Sequence, residues 1–311
     1  FSKIDDAATL YTVLFLKPYK LTIMKTVTSI SGGKTSAFIA ANYKSDNLVF
    51  ALVRTDDETC RFKDKKLVQE VEDRIQKPFI GTLEEDTIIH TMLDLEQFVG
   101  QKIDWVSGIT FDEVIETKGT WLPSAMRRYC TTWLKIEPIF HWWAEKFDFE
   151  PVLMNIGYRA SEINRAYTIL EKLNNNGLSE YKATFEKHLE GRHLGKNKWE
   201  NIEWRKPLFP LIDDVIYKDE IERFWEDKPV RFAKRNNCVG CPNRNSRVLN
   251  QMSKEHPVKF NWFAKQEGGK KAYWKKDISY AKIKALNYEE NIFNQSQRGT
   301  ALNCESGFCG V

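Results

Sequence analysis

The chain has 311 residues, 42% of them hydrophobic and 13% aromatic, enough apolar material for one large or two modest domains with a real core. No window of about 18 apolar residues occurs, so a membrane-spanning helix is not expected. The apolar stretch from Leu10 to Ile23 is broken by Lys17, Pro18 and Lys20 and carries no secretory cleavage site, which favours a cytoplasmic protein whose six cysteines do not form a disulfide scaffold.

The first methionine, Met24, stands directly before a β-rich run, so residues 1–23 read as a leader or non-native extension. The run climbs from Thr26 to Ser31 and meets Gly32, Gly33, Lys34, Thr35 and Ser36 before the helix-friendly Ala37-Phe38-Ile39-Ala40-Ala41. A strand that passes through a Gly-rich turn into a helix makes an anion site: glycines let backbone N–H groups approach phosphate oxygens, and the helix N-terminus adds positive potential. A Walker A loop would need its first glycine at Thr28, so that spacing fails. The alternative pattern, S-G-G-x-[DT]-S, is met completely by Ser31 to Ser36. It resembles the PP-loop of adenine-nucleotide α-hydrolase-like enzymes, and the lysine form is most similar to the phosphoadenosine phosphosulfate (PAPS) reductase branch. A Gly-Gly turn before a helix is also common structural punctuation.

Leu48 to Val53 reads as a buried parallel strand ending at Asp56, Asp57 and Glu58. Ligands of open α/β sheets bind at the carboxyl ends of strands, so Asp56 is a candidate near ribose or a bound Mg²⁺. Lys63 to Gln76 has helical spacing, Pro78 to Leu83 reads as a third strand, and Asp86 can cap a helix running to about Val99. This alternation predicts an α/β fold with a doubly wound, mostly parallel sheet over 24–230. The charged, Asn-rich segment 166–203 reads as an insertion with a helix near Tyr181–His188. Val152 to Ile156 is a further strand, and Asp219–Glu226 a further helix.

Two later stretches extend the resemblance. Arg127 to Pro138 is similar to the R-x-C-T-x-x-x-K-x-x-P segment of PAPS-reductase-like proteins, which implies nucleotide contacts for Arg128 and Lys135. Gly157 to Arg165 is similar to the G-x-R-x-x-E/Q-S-x-R turn, with Ile163 replacing the serine. Gly157 would allow close backbone approach, and Arg159 and Arg165 would meet phosphate or sulfate, because a guanidinium fork matches tetrahedral oxyanions. A surface turn with scattered arginines is the plainer reading.

Cys238-Val239-Gly240-Cys241-Pro242 is a C-x-x-C knuckle whose glycine and proline suit a tight turn aiming two thiolates at one metal or cluster. The iron–sulfur members of the resembled group, and the DNA phosphorothioation sulfurtransferases like them, imply that Cys130, Cys238 and Cys241 hold a [4Fe–4S] cluster, with Cys304 or Cys309 as fourth ligand. Zinc is the alternative occupant. Those members carry adjacent cysteines where Cys130 and Thr131 stand here. The tail also resembles the reductases' E-C-G motif, with Phe308 in place of the glutamate, which would make Cys309 the nucleophile on sulfur. None of the five histidines sits in a motif, and all are read as structural.

Residues 231–284 hold 14 Lys/Arg against 3 Asp/Glu, leaving −7 for the rest of a chain whose total is +4. With Phe260, Trp262, Phe263, Tyr273, Trp274 and Tyr280 interleaved, this basic, cysteine-containing C-terminal region (231–311) could bind DNA or RNA. A solvated basic face over core aromatics is the alternative. Three functions follow: a PAPS reductase-like enzyme working with a thiol reductant, an ATP-dependent sulfurtransferase acting on nucleic acid with a sulfur-donor protein, or a binding module with a structural metal knuckle. Reductase and transferase differ in whether PAPS or ATP is the nucleotide.

Overall fold

The computed structural model describes residues 24–119, 121–267 and 272–287. The leader at 1–23 and both C-terminal cysteines, Cys304 and Cys309, lie outside the described residues. No helix among those described is long and apolar enough to cross a membrane.

A six-stranded sheet forms the centre. Its strands are β1 (Thr26–Ile30), β2 (Asn47–Ala51), β5 (Ile103–Val106), β6 (Val152–Asn155), β7 (Ser179–Lys187) and β8 (Asn197–Leu208), in the spatial order β5-β2-β1-β6-β8-β7. All neighbours run parallel except β7, which pairs antiparallel with β8 at the edge. β2 shows why the sheet is covered on both faces. Leu48 and Phe50 point into one core with Ile30, and Val49 and Ala51 into another with Val27 and Met154.

The helices α1 (Lys34–Asn42), α2 (Lys65–Ile75) and α3 (Thr87–Val99) fill the first face through Ile39, Val71 and Met92, together with Trp225 of α9 (Lys218–Trp225). The second face receives Ile139, Phe140 and Trp143 of α6 (Glu137–Phe147), which continues from α5 (Tyr129–Thr131) through a π-helical turn at Thr132–Ile136. It also receives Ala166 and Ile169 of α7 (Ile163–Leu170).

A third core lies beyond the carboxyl end of β2. It joins Val53, Leu83 and Phe111 of α4 (Phe111–Lys118) to α10 (Ser246–Glu255), α11 (Pro257–Glu267) and α12 (Tyr280–Ala285). The short helix α8 (Pro210–Asp213) follows β8.

Two expectations differ from the structure. The 181–188 stretch is the edge strand β7, not a helix: Ala183 is buried, and Tyr181 and Phe185 lie 4.6 and 6.0 Å from the Phe140 ring. Antiparallel pairing with β8, the next strand along the chain, overrides the local helical preference of its charged residues. The third strand shrinks to β4 (Gly81–Thr82), which forms a two-stranded ribbon with β3 (Arg54–Thr55) and lies outside the main sheet.

Candidate functional site

The order of the five parallel strands reverses between β1 and β6, so the crevice at their carboxyl ends is the topological switch point. The loop after β1 and the turn after β6 meet there. Gly32 has φ +82°, and a Cβ on it would stand 2.9 Å from Ile88 Cγ2 of α3. Both the left-handed backbone and the closeness of α3 demand glycine.

Gly33 precedes α1 in extended conformation, and no side chain caps the helix and no acid sits in its first turn. The Ser36 hydroxyl braces the loop: it donates to Gly33 O (3.2 Å), accepts from Ser31 N (3.1 Å) and lies 3.1 Å from Ser31 Oγ. Ser31, Thr35 and Ser36 are all buried. Gly157 closes over this turn, since a Cβ there would meet Ser36 N at 3.6 Å.

The charged residues of the site hold acidic partners that lie far away in sequence or three positions to either side. Lys34 pairs with Glu222 of α9, and its backbone carbonyl accepts from Trp225 Nε1 at 3.0 Å. Arg159 Nε donates to Glu162 Oε2 at 2.9 Å, and Arg165 pairs with the other oxygen of the same carboxylate. Arg165 also stacks 4.2 Å above Tyr158, a fully buried ring. Only Glu162 was foreshadowed by the sequence, because it falls inside the arginine turn. Glu222 left no local signal.

A pocket opens beside this crevice, lined by Ser124, Arg128, Cys130, Lys135, Cys238 and Cys241 among others. Cys130 reaches it from α5, while Cys238 and Cys241 reach it from the knuckle. That knuckle is a closed turn, with Cys241 N donating to Cys238 O (3.1 Å) and Val239 N to Leu83 O (2.8 Å). Gly240 has Phe263 pressed against it, and Tyr280 Oη donates to its carbonyl at 3.0 Å. Buried Arg244 donates to Asn236 O at 2.6 Å and Cys238 O at 3.4 Å, holding the turn from behind.

Burial first, and the nearby Cys241 thiolate second, push the Cys130 thiol up to about 11; burial and the Glu84 carboxylate push Cys238 well above its ordinary value. Arg128 is pulled down by burial and by Arg165, against the opposing pull of the Cys241 and Cys130 thiolates. Its guanidinium therefore lies within electrostatic reach of both the arginine turn and the cysteine pocket.

Lys135 lies at the cysteine pocket and pairs with Glu84 Oε1 at 2.8 Å. Burial opposes its charge, but Glu84 and the thiolates of Cys238 and Cys241 raise its pKa. Glu84 is fully buried, and its other oxygen has no hydrogen-bond partner.

Asp56 sits past the ribbon, accepting from Thr110 Oγ1 (2.6 Å), with its N–H on Asp112 Oδ2 (2.8 Å). Asp57 caps a 3₁₀ turn through Thr59 N, and Glu58 pairs with Arg61. In the basic region Phe260, Trp262, Phe263, Trp274 and Tyr280 are core residues, each at most 2% exposed, which leaves Tyr273 as the one of the six open to solvent. The stacking set anticipated from their sequence is thus spent on the third core.

Among the described residues no three Cys, His, Asp or Glu side chains converge closely enough to hold a single metal ion. A four-iron cluster spreads its ligands wider than one ion does, because each thiolate binds a different iron. The donor set suits it: three sulfurs share one pocket with Lys135 and Arg128, whose cationic groups offset the charge of a polythiolate site.

Comparison with known proteins finds no matching family profile, no matching curated protein and no matching solved structure.

Proposed function

We propose that the chain binds the phosphates of an adenine nucleotide on the Ser31–Ser36 loop and handles sulfur at the adjoining cysteine pocket, as PAPS reductase-like enzymes do. The observation that carries this reading is Arg128: it lines the cysteine pocket with Cys130 and Cys241 and is coupled electrostatically to Arg165 of the arginine turn. A phosphosulfate bound at the switch point would have its sulfur end directed toward thiols.

Lys34, Arg159 and Arg165 would bind the anionic groups, exchanging part of their contact with Glu222 and Glu162 for phosphate oxygens. Gly157 and Gly32 keep the backbone close enough for amide contacts. Burial disfavours the thiolate at Cys130 and Cys238, so neither suits unaided attack, and binding a cluster there would release their protons. With Cys241 and a C-terminal cysteine they would hold a [4Fe–4S] cluster, which when bound supplies a compact redox-active centre. Zinc fits less well, because among the described residues no three donors converge on one point.

In the reductase reading, the Cys309 thiolate attacks the sulfonate sulfur. An S–S bond forms, the S–O bond to phosphate breaks, and the nucleotide bisphosphate leaves. A dithiol reductant then releases sulfite and ends as a disulfide.

A second reading, ATP-dependent sulfur transfer to nucleic acid with release of pyrophosphate, is favoured by a specific observation: the exposed Trp121 and Met126, with Arg127 on the Trp121 ring, belong to the segment that supplies Ser124 and Arg128 to the pocket lining. Incubation of anaerobically purified protein with PAPS plus thioredoxin, and separately with ATP plus DNA or RNA, distinguishes the two. Sulfite supports the first and nucleic-acid-stimulated pyrophosphate the second. Neither product, with no nucleotide bound in calorimetry, refutes both.

A further inference from the structure

We propose that the surface carrying Trp121, Met126 and Arg127 is the docking platform for a single-stranded polynucleotide, whose bases stack there while a reacting nucleotide is held over the cysteine pocket; this rests on the sulfur-transfer reading. The platform and the pocket are one piece of chain. Ser124 and Arg128 line the pocket with Cys130, Cys238 and Cys241, and Trp121, Met126 and Arg127 neighbour Ser124 and Arg128 in the sequence. Ser124 and Arg127 exchange backbone hydrogen bonds in both directions at 3.1 Å, closing a tight turn with Ala125 and Met126 at its tip. Tyr129 Oη donates to Trp121 O at 2.6 Å and ties the turn back to α5. The surface is therefore built, and its apolar groups are presented outward: Trp121 is 58% exposed and Met126 85%.

Exposed indole and thioether gain nothing from folding, so their surface is available to a partner. Charge says which partner. Residues 118–136 contain Lys118, Arg127, Arg128 and Lys135 and no Asp or Glu. Two of these cations lie on aromatic rings: Arg127 is 4.5 Å from the Trp121 centroid, and Lys118 is 4.4 Å from Trp133 and 5.6 Å from Tyr129. Flat rings that accept bases, alternating with cations that accept phosphates, form the composition that holds an unpaired strand without reading its sequence. A duplex hides its base faces and could use only the cations.

The test is fluorescence anisotropy of the full chain with labelled oligonucleotides of about 12 nucleotides, as DNA, as RNA and as blunt duplex. Both single strands should bind more tightly than the duplex, and the DNA and RNA arms identify the acceptor. Trp121→Ala should weaken single-strand binding about tenfold, the effect of one lost base stack, while Trp121→Phe stays within about threefold because the ring remains. Arg127→Ala should reduce the salt dependence by about one phosphate contact.

ATP binding measured by calorimetry should be unchanged in Trp121→Ala, which separates failure of the platform from failure of the nucleotide loop. If Trp121→Ala does not fold, photocrosslinking the wild-type chain to a thiouridine-containing strand decides: adducts within 121–127 support the platform, and adducts only elsewhere overturn it. Equal binding by Trp121→Ala, equal preference for duplex, or binding of a polyglutamate peptide in place of oligonucleotides also overturns it.

Discussion

Replacing Gly240 by alanine tests how tightly the cysteine knuckle is built. The added methyl would lie against the Phe263 ring, 2.5 Å from Cδ2, 2.7 Å from Cδ1 and closer still to Cγ. Neither side can yield cheaply. Phe263 is fully buried, with the rings of Trp262, Trp274 and Phe111 at 4.9, 5.2 and 5.8 Å. The knuckle is fixed by Val239 N to Leu83 O, Cys241 N to Cys238 O and Tyr280 Oη to Gly240 O.

Overpacking of such a core costs about 1–3 kcal/mol, and straining one of these hydrogen bonds adds about 1 kcal/mol. The expected loss is thus about 2–4 kcal/mol, or roughly 3–6 °C in melting temperature at about 2.1 cal/mol/K of unfolding entropy per residue over 311 residues. Urea unfolding followed by tryptophan fluorescence measures it. Iron and acid-labile sulfide content after anaerobic purification should fall with it, because the turn aims two of the thiols. A Gly240→Ala protein within about 0.5 kcal/mol of wild type, the ordinary range for surface substitutions, would show that the third core is loose where it is argued to be tight.

Three further outcomes are expected. Gly32→Ala must force a side chain into a left-handed backbone against Ile88, so adenine-nucleotide affinity should drop at least about tenfold in calorimetry, with the fold retained by circular dichroism. Glu222→Gln releases Lys34 from a partly exposed pair, so nucleotide should bind about 2–5-fold more tightly, the scale of up to about 1 kcal/mol for such a pair; weaker binding would mean that Glu222 positions the lysine for phosphate. Asp94 accepts from Arg231 N at 3.0 Å, Nε at 2.7 Å and Nη2 at 2.7 Å, and this arginine holds its carboxyl below the usual range. Its folded-state pKa lies below its unfolded one, so the stability it adds is present above about pH 4 and is lost as pH falls through the depressed value. Asp94→Asn should therefore cost about 0.5–1.5 kcal/mol at neutral pH, discounted for the exposed arginine, and nothing in strong acid; an unchanged gap across that range would refute the assignment.

Local signals carried much of this protein. The strand–glycine–helix run at 26–42 is legible from its own residues, since β-rich, Gly-Gly and Ala-rich segments each favour the conformation they adopt, although β1 forms only by pairing with β2 and β6. The apolar strand at Leu48 and the alternation of strands with helices likewise announced a parallel sheet covered on both faces.

What the chain's order could not express is which partner, distant in sequence, each charged or aromatic side chain finds. Lys34 meets Glu222 across 188 residues and Lys135 meets Glu84 across 51, pairings that depend on helices packing onto the sheet. The helix expected at 181–188 became a strand because the next segment, β8, folds back on it as a hairpin and supplies hydrogen bonds that the residues of 181–188 by themselves do not reveal. The aromatics of 260–280 entered a core with Phe111, so their burial was decided by a surface from elsewhere in the chain. Tertiary structure also brought Cys130 to Cys238 and Cys241 in one pocket, over a separation that only folding closes, whereas the Ser31–Ser36 loop proposed to bind phosphate is legible as six consecutive residues.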